Sequence, residues 1–231
     1  MIILKKILSK LIVISLLFIM ASGVNTQASL VDNTSNNAYI EEVQFIDITR
    51  EEYVQAKAEK EGISFEEADK LEKLQTEESI KNELNTKRRF SIMPLATETV
   101  YRQVTKTYPV GTSGSFNSKL VSTINTKIIR YTGSSYGTYQ KFAEILDKNV
   151  QAYGSGTATY SPGTISAVID YNTSYGNSIV FMFSGNVEHQ VGWSLAQEAK
   201  KIGFSVSGSW NYIARKYVTK NTTFSSNWNL N

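Results

Sequence analysis

The sequence predicts a mainly β domain, either a sandwich-like or an α+β fold with one helix, preceded by a short α-helical hairpin. Residues 98–231 hold 11 of the 13 Tyr and all three Trp, among many Ser, Thr, Gly and Asn. β-branched and aromatic runs in this part are separated by Gly-Ser turns, which is typical of strands. Residues 49–85 instead combine dense charge with helix-capping signals.

The first 28 residues have the layout of a secretory signal peptide. Lys5, Lys6 and Lys10 precede and adjoin the apolar run LIVISLLFIM, and Ala28 ends a small-x-small cleavage site. A membrane-spanning helix needs about 20 apolar residues, so cleavage after Ala28 is favoured over an anchor. The chain has no cysteine, and export without disulfides favours a secreted, extracellular protein of a Gram-positive bacterium. The polar residues 29–48 are predicted to form a disordered lead.

Two helices joined by a short turn are predicted within the acidic segment 49–85, over about 50–61 and 65–84. Capping-box spacings mark the two starts, and Gly62 suits the end of the first helix; the boxes are Thr49 with Glu52 and Ser64 with Glu67. The second helix has one narrow apolar stripe, formed by Phe65, Ala68, Leu71 and Leu74. So narrow a stripe buries little area, so the hairpin should be weakly stable unless it packs on another element.

The charge of the chain reverses at the basic triplet Lys87, Arg88 and Arg89. Residues 41–84 contain 14 acidic and 6 basic side chains, whereas residues 90–231 contain 6 acidic and 12 basic ones. Two hypotheses fit this reversal. Either the acidic segment is a pro-segment that is cut at the triplet, or the triplet opens a plain linker, 86–97, and favours the dipole of the preceding helix.

Within the β domain, 98–231, one segment fits two structures and another predicts a helix. Residues 139–150 have helical spacing but also alternate as a strand does, and strand is favoured. The run WSLAQEAKKIG predicts a helix capped by Ser194 and ended by Gly203. The run VFMF, 180–183, predicts a core strand. The candidate strands are 98–110, 119–132, 177–191, 203–210 and 211–219.

The residue types needed for catalysis are scarce in this domain. His189 is the only histidine, and Glu188 would face the opposite side of a strand. We therefore expect a hydrogen-bonded or surface strand histidine rather than a catalytic one. If the protein is a hydrolase, Glu144 and Asp170 are the candidate catalytic carboxylates, but the spacing of carboxylates along the chain is not diagnostic of such a site. We expect a non-enzymatic protein and assign no catalytic, cofactor or metal-binding residue.

Tyrosines interleaved with small polar residues indicate a binding surface, although aromatic residues also favour strands as such. The candidate ligand-binding residues are Tyr136, Tyr139, Tyr171 and Tyr175. The leading function is a secreted binder of anionic cell-wall polymer, carbohydrate or another protein. The alternative is a secreted toxin or antimicrobial protein with an acidic pro-segment that acts on membranes, and the third is a carboxylate-dependent hydrolase. Scattered basic residues without a binding motif argue against nucleic acid.

Overall fold

The computed structural model describes residues 43–88, 96–133, 137–171 and 176–227. These residues form a mainly β fold, with a helical hairpin ahead of the long strands, as the sequence predicts. The elements are β1 (Val43–Ile48), α1 (Arg50–Glu61), α2 (Phe65–Arg88), β2 (Ala96–Ser113), β3 (Phe116–Gly133), β4 (Gly137–Gly154), β5 (Thr157–Asp170), β6 (Ser178–Val191), α3 (Trp193–Lys201), β7 (Ser205–Ser207) and β8 (Tyr212–Ser225).

The strands form two antiparallel sheets of four strands each. Sheet A has the order β1-β2-β3-β4, and sheet B has the order β5-β6-β8-β7. The sheets pack face to face around one large apolar core to which both contribute. Its largest side chains are Tyr108, Leu120, Ile124, Ile128 and Phe142 from sheet A and Ile179, Phe181, Phe183, Val187 and Phe224 from sheet B.

Alternation along β6 explains how one strand serves both the core and the surface. Phe181 and Phe183 are buried in the core, whereas Met182 between them is 45% exposed. This is the two-residue period of a strand that is buried on one face. The run VFMF therefore lies in a core strand, as predicted, and its side chains alternate between the core and the surface.

A second apolar cluster lies where α3 packs beside the sheets. Phe116, Phe204 and Ala214 are buried there against Ala196 and Ala199 of the helix. The predicted helix is present, but its N-cap is Gly192, which makes no side-chain cap hydrogen bond, rather than Ser194. Gly203 follows the helix with φ +84°, a conformation that favours glycine.

Several predicted boundaries need correction. Residues 43–48 of the predicted disordered lead form β1, because their backbone pairs with β2 from Ile48 opposite Tyr101 to Val43 opposite Lys106. The predicted linker 86–97 is shorter, since α2 continues to Arg88 and β2 begins at Ala96. The segment 139–150 is a strand, within β4. Strand β5 was not predicted at all, because Pro162 and Gly163 interrupt its pattern.

Among the described residues, no helix combines the length and the apolar character that crossing a membrane requires.

Candidate functional site

The helical hairpin packs on the outer face of sheet A. Its two helices begin as the sequence predicts, with Thr49 and Ser64 as reciprocal partners of Glu52 and Glu67. The apolar stripe of α2 buries little area, as expected. Only Ala68 of that stripe is buried, whereas Phe65, Leu71 and Leu74 are exposed. The face of α2 that meets the sheet carries Glu72 instead.

Four charged side chains form a cluster between the hairpin and the sheet, which we call the ion cluster. Lys57 of α1 and Glu72 of α2 are fully buried, and Lys127 of β3 is nearly so. Glu144 of β4 completes the set and lies directly opposite Lys127 across the two strands. Burying so many charges is costly unless each is paired, and each of these four has two partners of opposite sign.

The distances within the ion cluster define two kinds of pair. Two pairs cross the interface, with Lys57 Nζ 3.0 Å from Glu144 Oε1 and Lys127 Nζ 3.2 Å from Glu72 Oε2. Two pairs stay within one side, with Lys57 Nζ 3.5 Å from Glu72 Oε2 and Lys127 Nζ 3.1 Å from Glu144 Oε2. Opposite charges therefore alternate around the cluster.

Neutral groups complete the hydrogen bonding of Glu72. Tyr101 donates its hydroxyl to Glu72 Oε1 at 3.0 Å, and Thr76 donates to the same oxygen at 2.8 Å. Burial raises the pKa of Tyr101, and the negative charge of Glu72 raises it further. The phenol therefore stays protonated and remains a donor. Desolvation alone would raise the pKa of Glu144, but Lys127 and Lys57 outweigh it and the pKa lies below its usual value.

A cleft of about 580 Å³ opens beside the ion cluster, where β1 ends and leaves the first part of β2 without a neighbour on that side. Charged side chains of both signs line it. Arg130 pairs with Glu98 at 3.0 Å there, and Arg50 pairs with Asp69. Because both guanidinium groups are paired with carboxylates, neither is free to bind an anionic ligand.

The outer face of sheet B is the second notable surface, and we call it the open face. Residues directly opposite each other in antiparallel strands share a face, so rows of side chains cross β5, β6 and β8. The rows are Val168–Val180–Thr223, Ser166–Met182–Asn221, Thr164–Ser184–Thr219 and Ser161–Asn186–Tyr217. In the part of the chain that is described, no helix packs on these rows.

The four rows of the open face carry no charged side chain, although the rows at their two ends do, with Asp170 beside Ser178 at one end. The Ser, Thr and Asn side chains in the four rows make no hydrogen bond within the described chain. Tyr217 lies 62% exposed among them. The neighbouring row is formed by Glu188 and Arg215, which neutralise each other at 2.7 Å. The face thus offers unengaged hydroxyl and amide groups on a rigid sheet.

Three aromatic residues form an exposed corner at the end of sheet B. Val191 and Tyr212 are paired across β6 and β8, and Trp193 and Trp210 each lie two residues beyond that pair. The rings of Trp193 and Tyr212 are 5.2 Å apart. Trp210 is 92% exposed, which is unusual for so large an apolar side chain.

His189 lies between the sheets and not at a surface. Its ring nitrogens lie 2.8 Å from the Ser155 carbonyl oxygen and 2.8 Å from Ser118 Oγ. The carbonyl only accepts, so Nδ1 carries the proton and Nε2 accepts from Ser118. Burial lowers the pKa of His189, and the Ser155 carbonyl offsets this only in part. The expectation of a hydrogen-bonded strand histidine, facing away from Glu188, is confirmed.

The predicted ligand-binding tyrosines occupy different places. Tyr139 is buried under α2, with its ring 5.0 Å from that of Tyr131, whereas Tyr171 is exposed at the end of β5. Tyr136 and Tyr175 lie outside the described residues, as do Arg89 and the predicted cleavage site at Ala28. Lys87 and Arg88 are the last residues of α2. The structure does not bring Glu144 and Asp170 together, since they lie in different sheets.

The ion cluster was not predicted from the sequence, although one signal for it exists. Lys57 lies beside the buried Val54 and Ala58 on α1, and Glu72 lies four residues after Ala68 on α2. A charge on the buried side of each helix indicates a polar partner on the surface against which the hairpin packs. The partners Lys127 and Glu144 follow only from the strand register.

The described residues contain no group of three or more His, Asp or Glu side chains placed to hold a metal ion. No protein-family model, no curated protein and no solved structure matches the chain.

Proposed function

We propose that the protein is an exported, non-enzymatic binding protein whose open face takes a neutral carbohydrate polymer of the cell surface. One observation carries this proposal. The open face presents unengaged hydroxyl and amide groups, without unpaired charge, around the exposed ring of Tyr217. A glycan offers matching hydroxyl groups for hydrogen bonds and apolar ring faces for contact with an aromatic side chain.

Rigidity supports the same function. The three strands of the open face are paired along their length, from Asp170 opposite Ser178 to Gln190 opposite Ile213. The paired strands hold the backbone of the open face in place before a ligand binds. Binding therefore costs little free energy for ordering the backbone. An extended polymer also suits a face that is long and flat rather than a closed pocket.

Binding to bacterial wall material tests the proposal. Purified peptidoglycan sacculi, from which the covalently linked anionic polymers have been removed by acid, should retain the protein in a pull-down. Tyr217→Ala should weaken retention about tenfold or more, because the face loses its exposed aromatic ring and the contact area of that ring. Tyr153→Ala is the matched control, since Tyr153 is 44% exposed on the other sheet.

Three results would contradict the proposal. The first is that sacculi retain none of the protein, and the second is that Tyr217→Ala and Tyr153→Ala bind equally well. Retention that requires the anionic polymers and falls steeply with salt would point to the basic residues of the domain instead.

A further inference from the structure

We propose that the hairpin α1–α2 is a lid that detaches from sheet A as one unit and docks again. The proposal does not depend on the carbohydrate function. It arises from the way the ion cluster divides between the two sides of the interface.

Within the ion cluster, the charges on each side of the interface sum to zero and pair with each other. The hairpin contributes one lysine and one glutamate, Lys57 and Glu72, which contact each other. The sheet contributes Lys127 and Glu144, which also contact each other. If the hairpin moves away, both cross-interface pairs break, but every charge keeps one partner of opposite sign.

This division removes the usual obstacle to opening a buried ion pair. Separating such a pair is costly when each charge is left alone in a poorly solvated site. Here each lysine stays beside a glutamate and also gains water. Among the described residues, Lys141 and Glu83 also pair across the interface, and both are partly exposed even when docked, so water can replace that contact as well.

The apolar part of the interface is small. One cluster consists of Tyr53, Tyr101 and Leu146, and the other packs Ile80 of α2 on Ile129, Tyr131 and Tyr139. Both are minor beside the core that joins the two sheets. Because apolar burial is the main favourable term in docking, the hairpin is held less firmly than the sheets are held to each other.

Opening would uncover an aromatic and basic surface on sheet A. Tyr101, Tyr131 and Tyr139 lie under the hairpin together with Lys127 and Lys141. The predicted ligand-binding residue Tyr139 would then reach solvent. Detachment therefore gives this tyrosine a route to a ligand that the docked state denies.

Hydrogen exchange of the full chain, followed by mass spectrometry at increasing urea, tests the lid. Amides near Val54 in α1 and near Thr76 in the middle of α2 should exchange together, and at lower urea than amides of β6 and β8. Once detached, the hairpin lacks the packing that stabilises its helices, so their backbone hydrogen bonds open and the amides exchange. Their exchange should depend on urea, because detachment exposes surface. Exchange of these helix amides only with the strands, by global unfolding, would overturn the proposal.

Two double variants separate a detachable lid from a fixed layer. Lys57→Met with Glu72→Gln leaves the Lys127–Glu144 pair, which stays intact when the hairpin detaches. Lys57→Met with Glu144→Gln leaves the Lys127–Glu72 pair, which must break. Both remove one positive and one negative charge, so they form a matched comparison.

The lid predicts that the first double variant exchanges its helix amides about tenfold faster than the second, the size of coupling seen between contacting charges. The amides of β6 and β8 serve as the internal reference for global stability. Equal rates in the two variants, or the reverse order, would overturn the proposal. If neither double variant folds, the urea dependence of exchange in the wild type still tests the lid, through the comparison of helix amides with the amides of β6 and β8.

Discussion

His189 joins parts of the molecule that are far apart in sequence. It is carried by β6 of sheet B, yet it accepts a hydrogen bond from Ser118 of sheet A and donates one to the turn at Ser155. Phe116 and Phe204 pack edge-on against its ring. A neutral imidazole satisfies both polar neighbours in this apolar setting, and a charged one would lack a counter-charge among the groups that touch it.

The stability of the protein should therefore fall as the pH drops through the range in which histidine titrates. The unfolded His189 has a pKa of about 6.5, and burial places the folded pKa lower. Between these two values the unfolded chain binds the proton first, so the free energy of unfolding decreases as the pH falls, and the decrease stops below the folded pKa. Urea midpoints from pH 7.5 to 5.0 measure this.

His189→Gln provides the control for that measurement. Glutamine can keep both kinds of hydrogen bond but does not titrate. The variant is expected to be less stable than the wild type at pH 7.5. The difference in the free energy of unfolding should narrow towards pH 5.0, because only the wild type loses the contribution of neutral His189. The carboxylates titrate in both proteins, so their effect cancels in the difference. Parallel pH profiles would show that His189 is not the responsible group.

The turn between α1 and α2 shows how one residue sets the geometry of an element. Gly62 ends α1 with φ +69°, and its N–H donates to the Ala58 carbonyl. A Cβ at this position would meet no atom within 4 Å. Only the backbone conformation, and not crowding, therefore requires glycine here.

Gly62→Ala should destabilise the hairpin by about 1–2 kcal/mol, the cost of the left-handed conformation for a residue with a Cβ. Gly62→Asn is the matched control, because asparagine also has a Cβ but adopts the left-handed conformation more readily than alanine; it should cost less than Gly62→Ala. Urea unfolding followed by circular dichroism measures both. Equal effects would mean that the left-handed conformation of Gly62 is not maintained.

Elements with local signals were predictable, and elements that depend on distant pairing were not. The capping boxes at Thr49 and Ser64 and the glycine at 62 mark the hairpin because each involves residues within four positions. Strand β1 has no such signal, since it is held by pairing with β2 more than fifty residues later. In strand β5 the alternation of inward and outward side chains is interrupted at Pro162, where the register with β6 shifts by one residue.

The whole molecule depends on contacts between the two sheets. Phe183 of sheet B lies edge-on to Tyr108 of sheet A, with ring centroids 5.1 Å apart, and it also contacts Phe181 and Tyr160. Edge-to-face pairs of this kind add to the free energy of apolar burial. The two sheets should therefore unfold together rather than one after the other.

Phe183→Ala should lower the free energy of unfolding by about 3–5 kcal/mol, through lost burial and the cavity that remains. Met182→Ala, one residue away on the exposed side of β6, should cost less than about 1 kcal/mol. Urea unfolding monitored by tyrosine and tryptophan fluorescence measures the difference. A similar loss for both variants would contradict the inward and outward assignment along β6.

The candidate surfaces could be predicted only in part. The composition of the β domain indicated binding, but the residues that form the open face come from three strands, and only their register places Ser166, Met182 and Asn221 in one row. Likewise, nothing local to Lys127 indicates that it faces Glu72, which lies 55 positions earlier. Surfaces assembled across strands require the register, which the sequence pattern alone leaves open.

The division of the ion cluster also constrains how this chain can change over generations. Lys57 and Glu72 are neighbours on the hairpin. If both are replaced by uncharged side chains, Lys127 and Glu144 remain as an ion pair whose charges cancel. Loss of Glu72 alone leaves two lysines facing one carboxylate. Removal of Lys57 with Glu144 also leaves one pair, Lys127 with Glu72, but that pair has to break whenever the hairpin detaches. If detachment is part of the function, we expect diverged descendants of this chain to lose Lys57 with Glu72, or Lys127 with Glu144, in preference to either pair that spans the interface.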